Sequence, residues 1–325
     1  MKKWLSLLLA CVLLASCMVL PAAAEEKKTL TLGYVAYNMK DEWQQYSYEA
    51  FQYACDKMGV KCVMVDCEYD LERSIQCMQD LISQKVDGIS IFPMNPDQGA
   101  TLISMANEAG IPVTVENYHL DENAGNFIAS VACEYDIIGE AAMNFINETW
   151  PGSKVLYVAG KASSGVYASY QEGVDRALKA EGMTISLVSV VHGDWNTEIS
   201  MNVTNDAINS GLQFDVIFAN NEAQAKGCRN ALIENNLEGK VKIVTTGGGP
   251  SGIEMLKNGE VDATMSAPVS LQGLITFKNL YQYLNGKVPA KRTAIPVIPI
   301  TKETLDSCIS WIVSDAAVEY IGGLE

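Results

Sequence analysis

Short runs rich in Val and Ile alternate with stretches of helical period through almost the whole chain, and this alternation limits the fold more than any other feature. The strand-like runs are Leu30–Tyr37, Val60–Asp66, Gly88–Phe92 and Ile111–Glu116 in the first half. They continue as Lys154–Gly160, Ile185–Val191, Phe214–Asn220, Val241–Thr246 and Ala263–Ser266 in the second. Between the first of them, Trp43, Tyr46, Ala50, Ala54 and Met58 recur at three- and four-residue steps. Leu71, Ile75, Met78 and Ile82 do the same behind a helix cap at Asp70. Strand–helix alternation of this kind implies an α/β fold of parallel sheets with right-handed crossovers. At 325 residues the chain exceeds what one core usually serves, so two lobes are expected. In such sheets ligands collect at the carboxyl ends of the strands, which makes the loops after each strand the place to look for function.

Ahead of this pattern, basic Met1-Lys2-Lys3 and an apolar run from Trp4 to Leu20 have the order of a secretory signal. Two processing readings stay open. One is cleavage after Ala24 in Pro21-Ala22-Ala23-Ala24, leaving residues 1–24 as signal peptide. The other is lipidation of Cys17, because Leu14-Ala15-Ser16-Cys17 resembles a lipoprotein box. Either way an exported protein is expected, periplasmic or at the cell surface. The whole chain carries 23 Lys and Arg against 39 Asp and Glu, a net charge of −16. Residues 1–24 hold two lysines and no acid, so cleavage there leaves −18. With no basic stripe to neutralise phosphates, nucleic acid is not an expected partner. Seven cysteines lie beyond residue 24, at 55, 62, 67, 77, 133, 228 and 308. Their odd number and irregular spacing define no disulfide framework, and buried thiols are expected for most. No C-x-x-C pair occurs and the only histidines are His119 and His192, so neither a metal site nor a cofactor is expected.

Five segments in order carry a family likeness. They are Asp56-Lys57-Met58-Gly59, Val86-Asp87-Gly88-Ile89-Ser90-Ile91-Phe92-Pro93, Ala106-Asn107-Glu108-Ala109-Gly110-Ile111-Pro112-Val113, Phe218-Ala219-Asn220-Asn221-Glu222 and Asn258-Gly259-Glu260-Val261-Asp262-Ala263-Thr264. Together they resemble the ribose-binding branch of the type I periplasmic binding proteins, over nearly all of residues 29–301. The resemblance implies two Rossmann-like lobes joined by a three-segment hinge that closes on a ligand. The first lobe would combine residues 29–134 with 267–294, and the second 135–266 with 295–325. The hinge would pass near Cys133, Glu134 and Asp136, near Ala267 and near Ala294.

The same resemblance implies the ligand contacts. Lys40-Asp41-Glu42-Trp43-Gln44 matches the family's first-lobe Asn-Pro-Phe-Phe segment, which puts Asp41, Trp43 and Gln44 at the ligand; Trp43 reads equally as a packing anchor on its helical stripe. Glu116-Asn117 stands where the family has Asp-Arg. Trp195 matches a stacking phenylalanine, with burial inside a lobe as its bland alternative, and Asn221 matches a hydroxyl-binding asparagine. Three positions depart from the family. Tyr170 replaces an arginine, Gly247 an aspartate and Ala267 a hinge glutamine, leaving the usual polar pincer for sugar hydroxyls incomplete.

An extracytoplasmic solute-binding protein of an ABC importer is the expected function. It would be a monomer that captures a sugar or modified sugar and delivers it to a permease. The alternative is a sensor that presents an amine, amino sugar or nucleoside-like ligand to a chemoreceptor or histidine kinase, since Asp41, Glu116 and Glu222 with the aromatics suit a cation. Gly247-Gly248-Gly249-Pro250-Ser251-Gly252 fits G-x-G-x-x-G and raises anion binding, but the motif sits late in its lobe rather than at its first strand, which favours a tight turn with Pro250 opening a helix. No G-x-S-x-G elbow or P-loop lysine motif occurs, and an enzyme is not expected.

Overall fold

The structure, a computed structural model, describes residues 29–325. The signal segment 1–24, with both of its processing alternatives at Ala24 and Cys17, lies outside the described residues.

In the first half, strands β1 (Thr31–Ala36), β2 (Lys61–Asp66), β3 (Gly88–Ile91), β4 (Val113–Glu116) and β5 (Ser130–Ala132) alternate with helices α1 (Glu42–Met58), α2 (Leu71–Ser83) and α3 (Pro96–Glu108). Then follow α4 (Tyr135–Thr149), β6 (Lys154–Ala159), α5 (Gly165–Leu178), β7 (Ser186–His192), α6 (Thr197–Asn209), β8 (Val216–Ala219), α7 (Glu222–Glu234), β9 (Lys242–Gly247), α8 (Pro250–Asn258) and β10 (Ala263–Ser266). The chain ends with α9 (Val269–Leu284), β11 (Arg292–Ala294), β12 (Ile298–Ile300) and α10 (Asp315–Tyr320). Two six-stranded sheets result, in the orders β11-β5-β4-β3-β1-β2 and β12-β10-β9-β8-β6-β7.

Side chains on β3, β4 and β8 are buried at every position, because helices cover both sheet faces. Asp41, Asp70, Asn95, Asn196 and Asn221 each accept the backbone N–H three residues on, fixing five helix starts at about 1 kcal/mol apiece.

The buried stripes of the first two helices are rotated from the expected ones. In α1 the fully buried residues are Gln44, Ser47, Ala50, Phe51, Ala54 and Cys55, which leaves Trp43 and Tyr46 only partly buried, with Trp43 still packed against the edge of the core. In α2 they are Ser74, Cys77, Met78 and Leu81, while Leu71 is 56% and Ile75 39% exposed. Small serines and cysteines do the close packing that a hydrophobicity pattern assigns to larger side chains.

Three strands, β5, β11 and β12, escape the sequence pattern because three residues cannot show a period of two. The last also breaks the parallel rule, since β12 runs antiparallel to β10. The reason is geometric: the chain leaves β11 at its carboxyl end and, with only residues 295–297 between, enters the second sheet from the end where that sheet's own strands finish. The other passages between sheets are equally direct, from β5 into α4 and from β10 into α9. Residues 315–325, expected with the second lobe, pack instead on helices of the first. Tyr53 donates to Asp315 at 2.7 Å, Lys57 pairs with Asp315, and Lys278 donates to the Ile321 carbonyl at 2.7 Å.

All seven cysteines among the described residues are free thiols, five of them buried. No helix among these residues is long and apolar enough to cross a membrane.

Candidate functional site

Parallel strands point one way, so the loops that follow them gather at one end of each sheet. Here those two ends face each other across a cleft of about 500 Å³. Tyr37 follows β1, Phe92 follows β3 and Asn117 follows β4; Asn220 and Asn221 follow β8, Gly247 ends β9 and Ala267 follows β10. Eight aromatic rings line the space: Tyr37, Trp43, Tyr69, Phe92, Tyr135, Tyr170, Trp195 and Trp311.

On the first wall, Asp41 caps α1 through Gln44 N at 2.9 Å. Trp43, partly buried at the edge of the core, stands edge-on to Trp311 with ring centroids 5.0 Å apart and an interplanar angle of 86°. Its indole Nε1 is buried without a hydrogen-bond partner among the described residues. Trp311 touches both walls. Its own Nε1 donates to the Gly247 carbonyl at 2.8 Å, and the segment carrying it is tied to α9 where Ser270 Oγ donates to the Ser310 carbonyl at 2.6 Å. Asn117 lines the cleft with φ +66°, a left-handed conformation that asparagine tolerates better than most residues.

The second wall is a chain of polar contacts under an aromatic surface. Thr246 Oγ1 donates to the Asn220 carbonyl at 2.6 Å, which leaves it to accept the Tyr170 hydroxyl at 3.0 Å. Tyr170 reaches this position because α4 and α5 cross closely at Gly173, where a Cβ would fall 1.7 Å from the Asp136 carbonyl oxygen. Trp195, at φ +55°, lies against Gly160, where a Cβ would come within 2.3 Å of the indole. Asn220 accepts from Tyr157 Oη at 2.9 Å and Gly160 N at 2.8 Å through Oδ1, but its buried Nδ2 has no partner. Asn221 uses its Oδ1 to cap α7 through Gln224 N. Both neighbours thus commit their Oδ1 and leave Nδ2 unused, but only that of Asn220 is buried.

Glu222 answers the question of the glycine motif. Its Oε1 accepts Gly248 N at 2.9 Å and Gly249 N at 3.1 Å, at the start of α8. A carboxylate of the protein itself thus occupies the N–H groups an external anion would need. Gly247, at φ +122°, leaves that carboxylate room: a Cβ there would sit 2.5 Å from Oε1. Burial nonetheless pushes the Glu222 carboxyl above the usual range, against the pull of these backbone donors.

Two expected contacts belong elsewhere. Glu116 is fully buried beneath the first wall, where it accepts from Ser47 Oγ at 2.6 Å, Ser90 Oγ at 2.8 Å, Tyr34 Oη at 3.0 Å and Gln272 Nε2 at 3.3 Å. Burial raises its carboxyl, and these donors oppose the rise. Gln44 is also fully buried, accepting Tyr37 N and donating to Tyr34 Oη. Both hold the floor of the cleft rather than its surface. Cys133 and His119 line an adjoining cavity, not the main one. His119 Nδ1 lies 2.8 Å from Ser130 Oγ and Nε2 3.9 Å from Glu134, and burial lowers its pKa. No group of three or more potential metal ligands exists among the described residues.

The sequence reading missed Tyr37, Tyr69, Phe92, Tyr135, Asn220 and Trp311. Tyr37, Phe92 and Asn220 were findable from the strand-end rule alone. Trp311 gave no signal, since it arrives on an irregular segment after the last strand.

The model of the periplasmic binding protein domain family matches residues 32–288. The chain belongs to that family. Within it, the chain is 23% identical over 295 residues to the ribose import binding protein RbsB of Bacillus subtilis, covering 90% of this chain and 94% of that one. It is 24% identical over 206 residues to the D-allose-binding periplasmic protein of Escherichia coli, covering 61% and 66%. Among solved folds, a solute-binding protein of Bacillus halodurans with bound myo-inositol superposes with a TM-score of 0.72 at 22% identity, over 86% of this chain and 96% of that one. A periplasmic ribose ABC transporter protein from Conexibacter woesei gives 0.78 at 21% identity, over 86% and 94%. The α/β fold with two mostly parallel six-stranded sheets is therefore that of the type I periplasmic binding proteins.

Proposed function

We propose that this protein is the extracytoplasmic solute-binding component of an ABC importer, exported by its N-terminal signal and acting as a monomer. It captures a small polyhydroxylated ligand, a sugar or modified sugar, between its lobes and hands it to a permease. The observation that carries the reading is the cleft itself: aromatic rings on both walls, with fixed carboxylates and an unpaired buried amide between them. Sugar C–H faces pack on aromatic planes while hydroxyls need donors and acceptors held in place. The named relatives are import binding proteins for ribose and allose, which supports the same class of ligand.

Asp41, Trp43, Asn117, Tyr170, Trp195, Asn221 and Gly247 are proposed to contact the ligand, joined by Asn220 and Trp311. Residues 133–134, 267–268 and 295–297 are the proposed hinge, and rotation about them lets the ligand select a closed state that a permease reads. Nothing in this role requires a catalytic step.

A thermal-shift panel over sugars and polyols tests the proposal. A true ligand at about one hundred times its Kd adds about 2.7 kcal/mol, or about 5 °C in Tm for a chain of this size. A flat response across every small molecule offered, with the chain folded, would overturn it.

A further inference from the structure

No lysine, arginine or histidine is among the lining residues of the cleft, whereas Asp41, Glu42 and Glu222 are. The carboxylates stand on opposite walls. Asp41 and Glu42 open α1 in one lobe, and Glu222 opens α7 in the other. The charge of Glu42 is already felt at Glu222, where it works with burial to raise the carboxyl. In the adjoining cavity the only basic side chain among the lining residues is His119, whose pKa burial lowers, disfavouring its charged form.

Two of the three acids have partners. Asp41 caps α1, and Glu222 holds two backbone N–H groups. The Glu42 side chain is exposed and makes no hydrogen bond or ion pair among the described residues. The surface between the acids is aromatic, and the faces of Trp43, Trp195, Trp311, Tyr135 and Tyr170 attract cations as well as sugar C–H groups. Independently of charge, Asn220 is 4% exposed and keeps an unpartnered Nδ2, as Trp43 keeps an unpartnered Nε1. Both are donors and call for oxygen on the ligand.

A neutral sugar satisfies the donors and the rings but leaves like charges facing each other as the lobes close. We infer that the ligand is a hydroxylated cation, with a protonated or quaternary amine seated among the rings between Glu42 and Glu222. This rests on the binding-protein reading above and narrows its ligand class.

Matched probes test it: D-glucosamine against D-glucose, D-galactosamine against D-galactose, and choline against its uncharged carbon isostere, each followed by thermal shift and calorimetry on the mature chain. At least one charged member should bind while its neutral partner does not. Its affinity should fall roughly tenfold in the D41N/E42Q double variant, which keeps the α1 cap because asparagine caps as well as aspartate. Raising salt should weaken the charged probe in the same direction. Binding by the neutral members alone overturns this inference and leaves the sugar-binding reading standing, as does a charged probe whose affinity is unchanged in the double variant. Silence from every probe counts against both.

Discussion

Glu116 and Glu222 show how much a carboxylate's role depends on what surrounds it. Both have raised pKa values because of burial, but one is sealed in the floor of a lobe and the other faces the cleft. A raised folded pKa means that ionising Glu116 weakens the fold. Its contribution is complete below the ordinary carboxylate value of about 4.3 and is lost as pH rises through the folded value. The stability of the native chain minus that of Glu116→Gln, measured by denaturant midpoint, should therefore fall as pH is raised above about 4.3. A constant difference would contradict the burial argument. Trp195 tests the surface rather than the floor. Trp195→Ala should remove the ligand-induced thermal shift while costing only about 1–2 kcal/mol of stability, as fits a half-buried ring. An unchanged shift removes Trp195 from the site.

Among the elements, the β9–α8 turn carries the most constraint. Gly247 combines a positive φ with the Glu222 carboxylate where a Cβ would lie, and its carbonyl receives Trp311. Gly247→Ala should destabilise the protein by about 1–3 kcal/mol and weaken ligand binding together, because one turn positions Glu222 and Trp311 at once. Calorimetry and thermal melts on the same variant check both halves. The sequence disclosed this turn as a glycine motif but not its use, since nothing local says that a carboxylate from α7, 26 and 27 residues earlier in the chain at Glu222, fills the N–H groups of Gly248 and Gly249. The same limit explains the rotated stripes of α1 and α2. Periodicity marks a helix reliably, but which of two neighbouring faces is buried depends on whether Ser47 and Cys77 fit against the next layer.

For the whole molecule, one apolar cluster runs from Leu32 and Phe51 in the first lobe through Cys133, Ala267 and Ile295 to Tyr157 and Phe218 in the second. In the proposed hinge, rotation about the crossings would pivot on packed side chains, which favours two discrete states over a continuum. Small-angle scattering should show the radius of gyration fall by on the order of 1 Å when a ligand saturates the cleft, with no fall in Trp195→Ala at the same ligand concentration. By itself the sequence determined the strand–helix order, hence the two parallel sheets, and its family resemblance pointed to much of the cleft: Asp41, Trp43, Asn117, Tyr170, Trp195, Asn221 and Gly247 all line it. The element order follows from local periodicity and the end of the sheet from the geometry every parallel sheet shares, while the individual residues came from the motifs that carry the resemblance. Only the tertiary structure decided that Glu116 and Gln44 lie beneath the wall, that the unpartnered amide of Asn220 is buried, and that Trp311 joins the two walls. Each of those depends on contacts between residues tens to hundreds of positions apart, where the hydrogen-bond inventory of one segment is settled by another.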